Sequence, residues 1–343
     1  MFTVLRTPPS GGLFVPRRAP GAAVHPPTPP RAARRLALVA LAVVLALAGC
    51  VPVLDSAAPP ATLPQASLTV TDALGRSVTL AGPADRVVSL APSITEVLFA
   101  VGAGEEVVGV TSWCNYPPEA QERAQVGAYA AQSISIESIV ALEPDLVLAD
   151  GLAHGPVIEA LEPLGIPVVS LNPETIDDVY ADLVLVGDLT GHGDAAREAA
   201  DAMRARIAAV AEVAAAIPAE ERLVVYWQIW DEPLMTAGPS TFAGQLIALA
   251  GGANAFGDVA EQYPQISAEE VVQRDPAVIM GPDSHGDRLT IEHFSQRPGW
   301  AEIDAVRAGR IHLIDGDIVS RGGPRLADAL EAVARALYPE RFG

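Results

Sequence analysis

From residue 67 onward, short apolar runs alternate with stretches of helical spacing. Ser67–Leu80 alternates apolar and polar positions around Leu74-Gly75-Arg76, which predicts a β-hairpin. Short apolar strands are predicted at Arg86–Leu90, Val107–Thr111, Asp145–Ala149 and Pro167–Leu171. Helices are predicted from Pro92, where Ser93 and Glu96 read as a capping box, after Ser135, and over Gly155–Leu164. The rhythm then stops for two helical stretches, Thr175–Thr190 and Asp194–Ala216. The second has 23 residues, about 35 Å of helix, which is too long for one crossover in a small sheet. Strand and helix then resume, with strands at Leu223–Gln228, Ala277–Met280 and Ile311–Ile314 and a last helix over Pro324–Tyr338. Strands alternating with helices imply a mostly parallel sheet. The predicted fold is therefore α/β, with two Rossmann-like lobes, residues 67–174 and 219–343, joined through a helical segment, 175–218. In open sheets of this kind ligands lie beyond the carboxyl ends of the strands, so the expected site is a cleft between the lobes.

One phrase occurs twice. ISIESIVALEPDLVL (Ile134–Leu148) and ISAEEVVQRDPAVIM (Ile266–Met280) superpose with Ser135 on Ser267, Glu137 on Glu269 and Pro144 on Pro276, a constant offset of 132 residues. The repeat is architectural, one helix-then-strand unit per lobe. An acid in the first helical turn is favourable against the helix dipole. That explains Glu137 and Glu269 singly, but less well why both lobes carry the equivalent residue.

The first 50 residues have a different character. Arg31, Arg34 and Arg35 precede an unbroken apolar run, Leu36–Gly49, of 14 residues. That is too short to cross a bilayer, which takes about 20, and it reads as the core of a secretory signal (residues 1–49). The run ends in Leu47-Ala48-Gly49-Cys50, which resembles a bacterial lipobox, so Cys50 is the expected site of lipid attachment. Residues 50–66, rich in Pro and Ala, read as a tether. The expected location is the outer face of the cell membrane or the periplasm.

Charge narrows the function. There are 22 basic residues, all of them arginine, against 42 acidic ones. With no lysine there is no lysine Schiff base and no phosphate-loop lysine. The acidic balance argues against nucleic acid as a partner. No G-x-S-x-G or H-E-x-x-H pattern occurs, and Gly191-His192-Gly193 sits between helices rather than after a strand, so an exported enzyme is disfavoured. With only two cysteines, Cys50 and Cys114, a lipidated Cys50 leaves no intrachain disulfide.

The stretches RVVSLAPSITEVLFAVGAGEEVVGVTSWCNYPP, IESIVALEPDLVLAD, EQYPQISAEEVV and DIVSRGGPRLADAL together resemble the helical-backbone (class III) substrate-binding proteins of ABC importers for metal chelates. The closest likeness is to the vitamin B12 receptors, and it spans about Ser67 to Tyr338. The resemblance implies two lobes bridged by a rigid helix, a monomer, no catalysis, and no cofactor apart from the cargo, a cobalamin or another metal chelate. It implies permease docking through Glu137 and Glu269, one carboxylate per lobe toward a symmetric pair of arginines. It places Trp113, Tyr129 and Tyr263 at the ligand wall, with Tyr116 and Trp227 as further aromatic candidates. It assigns Asp317 and Arg321 to the corrin side-chain amides, for which an acceptor and a donor are both needed. Asp150 stands where such receptors can carry a tryptophan, which loosens the wall. His154 and His285 each follow the strand after the repeated helix and are candidate axial metal ligands, although a solvated loop histidine is the simpler reading. A free-metal receptor would want more converging His and carboxylates than these. A haem or ferric-siderophore receptor of the same transporter class is the alternative. An anionic siderophore needs cleft arginines, and only Arg321 and Arg325 offer themselves.

Overall fold

The computed structural model describes residues 67–283 and 291–343. The expected signal, Cys50, the tether and His285 lie outside these residues. The hairpin forms as expected: β1 (Leu68–Thr71) and β2 (Ser77–Leu80) pair antiparallel, with Gly75 at φ 74° in the turn. Asp72 holds that turn by accepting from the backbone N–H of Leu74 and Arg76, at 3.0 and 2.9 Å.

The first lobe is built on β3 (Val87–Ser89), β4 (Val107–Val110), β5 (Ala124–Gln125), β6 (Leu146–Asp150) and β7 (Val168–Leu171), in the order β5-β4-β3-β6-β7, all parallel. The second uses β8 (Val224–Trp230), β9 (Met235–Thr236), β10 (Ala253–Asn254), β11 (Val278–Pro282) and β12 (Ile311–Ile314). Its parallel order is β10-β8-β11-β12, with β9 antiparallel on β8.

The repeat is realised to the residue. Strands β6 and β11 begin and end 132 residues apart, and the helices before them, Ile136–Ala141 and Ala268–Arg274, are N-capped by Ser135 and Ser267. Glu143 and Asp275, each just before the proline, both take positive φ, 46° and 40°. A non-glycine residue there costs about 1–2 kcal/mol. That both lobes keep it shows the same tight helix-to-strand turn built twice.

The sheets share a core. Alternate strand residues point to opposite faces. In the first lobe Val87, Leu146, Leu148 and Val169 face one cluster, and Val88, Val147 and Val168 face another. In the second, Val225 and Trp227 join the same first cluster, while Tyr226 packs with Phe256, Phe294 and Trp300 on the outer face. The shared cluster runs through the helices Ile176–Thr190 and Gly193–Ala215. The second of these, the bridging helix, buries Ala196, Ala200, Met203, Ile207, Val210 and Ala214, a stripe at alternating spacings of four and three. The lobes are thus joined by continuous apolar packing along a 23-residue helix rather than by a flexible strand.

One expectation fails locally. Ser93 does not cap the helix Pro92–Ala100; its N-cap is Ala91, with no side-chain bond, and the helix starts on Pro92. Glu96 does not reach back to the cap because it turns inward and is 2% exposed.

The two long helices pack tightly at Gly187, where a Cβ would stand 2.2 Å from the Cβ of Ala196. Gly187→Val is expected to overpack this contact and cost about 1–3 kcal/mol. Urea unfolding measures it, and a loss within error would mean that the helices separate freely there.

Candidate functional site: an aromatic cleft with a paired polar floor

A cleft of about 330 Å³ opens between the lobes. The first lobe contributes the start of the helix at Pro92, Trp113 from the loop after β4, Tyr129, and Asp150 at the end of β6. The second contributes Phe242, Tyr263, Asp317 and Arg321. Trp113, Tyr129 and Tyr263, expected at the wall, therefore line one opening. Trp113 and Tyr263 are 51% and 49% exposed, high for large aromatic side chains in a folded domain.

Beside this opening lies a polar network that spans the lobes. The Glu96 carboxylate accepts from Arg321 Nη1 at 2.9 Å and from Arg325 Nε and Nη2 at 2.9 and 2.6 Å. Arg321 also donates to Asn115 Oδ1 at 2.8 Å and pairs with Asp317 Oδ1 at 2.7 Å. Asn115 Nδ2 closes the ring by donating to Asp317 Oδ2 at 2.7 Å. Two arginines meet two carboxylates, so the cluster is neutral. Burial works against the Arg325 charge, but the Glu96 bonds more than restore it and hold the guanidinium above its ordinary range. The Arg325 guanidinium also lies 4.2 Å from the centre of the Tyr116 ring.

Several expected roles change with these positions. Arg321 and Asp317 form a lobe-to-lobe strut before they are anything else. The Arg321 side chain is only 12% exposed, whereas Asp317 keeps 28% exposure toward the opening. Asp317 can still accept from a ligand amide; Arg321 has little surface to offer. Tyr116 is exposed but does not line the cleft: it covers Arg325. Trp227 is buried, because β8 runs on past it to Trp230 and directs it into the shared core, where it borders a neighbouring cavity.

His154 is neither solvated nor available to a metal. It is fully buried. Its Nδ1 accepts from the Asp150 N–H at 3.0 Å, so Nε2 carries the proton donated to the Tyr129 carbonyl at 2.8 Å. Burial lowers its pKa, outweighing the Tyr129 and Asp150 contributions, and keeps the ring neutral. It supports the wall from behind: the Tyr129 ring stands edge-on to it at 5.2 Å, and the Tyr129 hydroxyl donates to Asp150 Oδ2 at 2.7 Å. Burial first, and the Asp150 bond second, raise the Tyr129 phenol, so it stays protonated. Asp150, where a tryptophan was a possibility, is thus the acceptor that orients Tyr129.

Glu137 and Glu269 are exposed in the first turns of their helices. Among the described residues no three His, Cys, Asp or Glu side chains converge as a metal site. Sequence reasoning missed Glu96, Asn115 and Phe242. Glu96 carries the spacing of a helix cap after Ser93, Asn115 lies between the aromatics Trp113 and Tyr116, and the signal for Phe242 is its place after the helix cap Thr241.

Comparison with known proteins places this geometry. The periplasmic binding protein family matches residues 87–318. The vitamin B12-binding protein of Pectobacterium carotovorum subsp. carotovorum (strain PC1) is 34% identical over 254 residues, covering 74% of this chain and 88% of that protein. The ABC transporter substrate-binding lipoprotein YvrC of Bacillus subtilis (strain 168) is 31% identical over 280 residues, 80% of this chain and 87% of that one. Among solved structures, the periplasmic vitamin B12-binding protein BtuF of Vibrio cholerae has a TM-score of 0.64 at 28% identity, covering 75% of this chain and 98% of that one. The periplasmic heme-binding protein RhuT from Roseiflexus sp. RS-1 has a TM-score of 0.65 at 29% identity, covering 74% and 99%.

Glu96→Gln leaves the largely buried Arg325 without its carboxylate and Arg321 with Asp317 alone, and is expected to destabilise the protein by about 2–4 kcal/mol. Chemical denaturation reads this directly; a loss below about 1 kcal/mol would show that the strut contributes little.

Proposed function

Because the chain belongs to the periplasmic binding protein family, we propose that it captures a corrinoid of the cobalamin type outside the cell and delivers it to an ABC importer. It performs no chemistry on the cargo. One observation carries the ligand assignment: aromatic rings from both lobes surround an opening at which, among the described residues, Arg321 and the neighbouring Arg325 are already neutralised by Glu96 and Asp317. Flat apolar walls with few polar anchors suit a macrocycle, and a charge-balanced floor suits one whose rim carries amides rather than carboxylates. The cleft is smaller than a corrinoid, so the ring would be gripped on its faces and project from the mouth. Haem or an anionic ferric siderophore would need guanidinium groups free to pair with its carboxylates, and Arg321 and Arg325 are committed elsewhere.

The route around the binding step is part of the same reading. The chain is exported and held at the membrane by lipid on Cys50. Loaded receptor meets the permease through Glu137 and Glu269, one exposed carboxylate on each lobe, set by the same capped helix.

Titration calorimetry of the protein with cyanocobalamin, haemin and a ferric siderophore side by side tests the ligand class. Cyanocobalamin should bind most tightly, and preferential binding of haemin would transfer the assignment. Trp113→Ala with Tyr263→Ala should weaken cyanocobalamin by about 2–4 kcal/mol; unchanged affinity would move the site. Reversing both charges, Glu137→Arg with Glu269→Arg, should abolish uptake in cells while calorimetric affinity stays within about twofold. A parallel loss of affinity would place these residues in ligand binding instead.

A further inference from the structure

A second cavity, of about 360 Å³, lies beside the cleft within the second lobe. It sits past the carboxyl ends of β8 and β11, where Ile229 and Pro282 border it. The Trp227 edge, Met235, Ala243 and Val319 complete its apolar walls. It shares Phe242, Tyr263 and Ser320 with the cleft, so one ligand can occupy both spaces at once.

Its chemistry is narrow. Among the described residues, no charged side chain lines it. The hydroxyl of Thr241 is already committed, donating to the Gly238 carbonyl at 2.8 Å and accepting from the Gly244 N–H at 3.1 Å. A carboxylate, phosphate or primary amide placed deep in it would lose its water with few partners to gain, the Ser320 and Tyr263 hydroxyls lying on the side shared with the cleft. A flat uncharged aromatic group would lose little and would bury its area against Trp227, Phe242 and Met235.

We propose that this cavity is a subsite for the nucleotide base of a corrinoid, and that it selects benzimidazole- and phenol-type bases over purines. The inference rests on the corrinoid reading above and extends it to the part of the ligand that leaves the ring plane. The amide-bearing edge of the ring meets the polar floor at Asp317, while the pendant base enters the apolar chamber. An adenine base would bring an exocyclic amine and ring nitrogens into a space where, among the described residues, only the Ser320 and Tyr263 hydroxyls on the side shared with the cleft could meet them, and each buried polar group left unpaired is penalised.

The test is a calorimetric series on the intact protein with cyanocobalamin, an adeninyl cobamide and dicyanocobinamide, which keeps the ring but lacks nucleotide and base. Cyanocobalamin is expected to bind about tenfold or more tighter than dicyanocobinamide, the scale of burying one large apolar group. The adeninyl cobamide should fall at least about fivefold below cyanocobalamin. Ala243→Leu, which partly fills the chamber, should narrow the cyanocobalamin-to-cobinamide ratio to below about threefold. Equal affinities for all three ligands would overturn the subsite, as would an Ala243→Leu variant that weakens cyanocobalamin and cobinamide by the same factor. If that variant does not fold, the wild-type series decides alone. Failure of every corrinoid to bind would instead defeat the functional reading, and the subsite with it.

Discussion

The Glu96 carboxylate is the point on which the site turns. It belongs to the first lobe, is almost fully buried, and is held by two guanidinium groups of the second. A buried carboxylate without partners would cost several kcal/mol, and so would either arginine alone. Each lobe therefore supplies what the other cannot leave unpaired. Together with the shared apolar cluster along the bridging helix, this pairing sets the spacing of the lobes and hence the shape of the cleft.

The same pairing decides what the cleft can attract. The chain carries an excess of acid overall, and among the described residues Arg321 and Arg325 beside the opening contribute no net positive charge once Glu96 and Asp317 are counted. What remains at the surface is aromatic: Trp113 and Tyr263 at the mouth, with Tyr129 fixed from behind by Asp150 and by the neutral ring of His154. Such a site gains by burying flat apolar area, and a few acceptors choose the orientation. A 23-residue helix with one face in the shared core joins the lobes.

Much of this was legible in the sequence, because it is local. The hairpin at Gly75, the strands, the serine-capped helices and the repeat at an offset of 132 residues follow from period, caps and turn chemistry. The long helix was legible from its length. What was not legible depends on partners far apart in the chain. Glu96 looked like a cap because Ser93 precedes it by three residues, yet its partners lie 225 and 229 residues away. His154 looked like a loop residue until Tyr129 and Asp150 closed around it. Trp227 seemed to end a strand that in fact continues to Trp230, which turns the ring inward. Local pattern locates elements well; it does not say which buried charge will find which partner.

The most direct single measurement is a crystal structure of the protein bound to cyanocobalamin. The ring should lie between Trp113, Tyr129 and Tyr263, with Arg321 and Arg325 still paired to Glu96. A ring bound outside this opening, or arginines withdrawn from Glu96 to grip the ligand, would contradict the view of the cleft as a neutral, aromatic-walled slot.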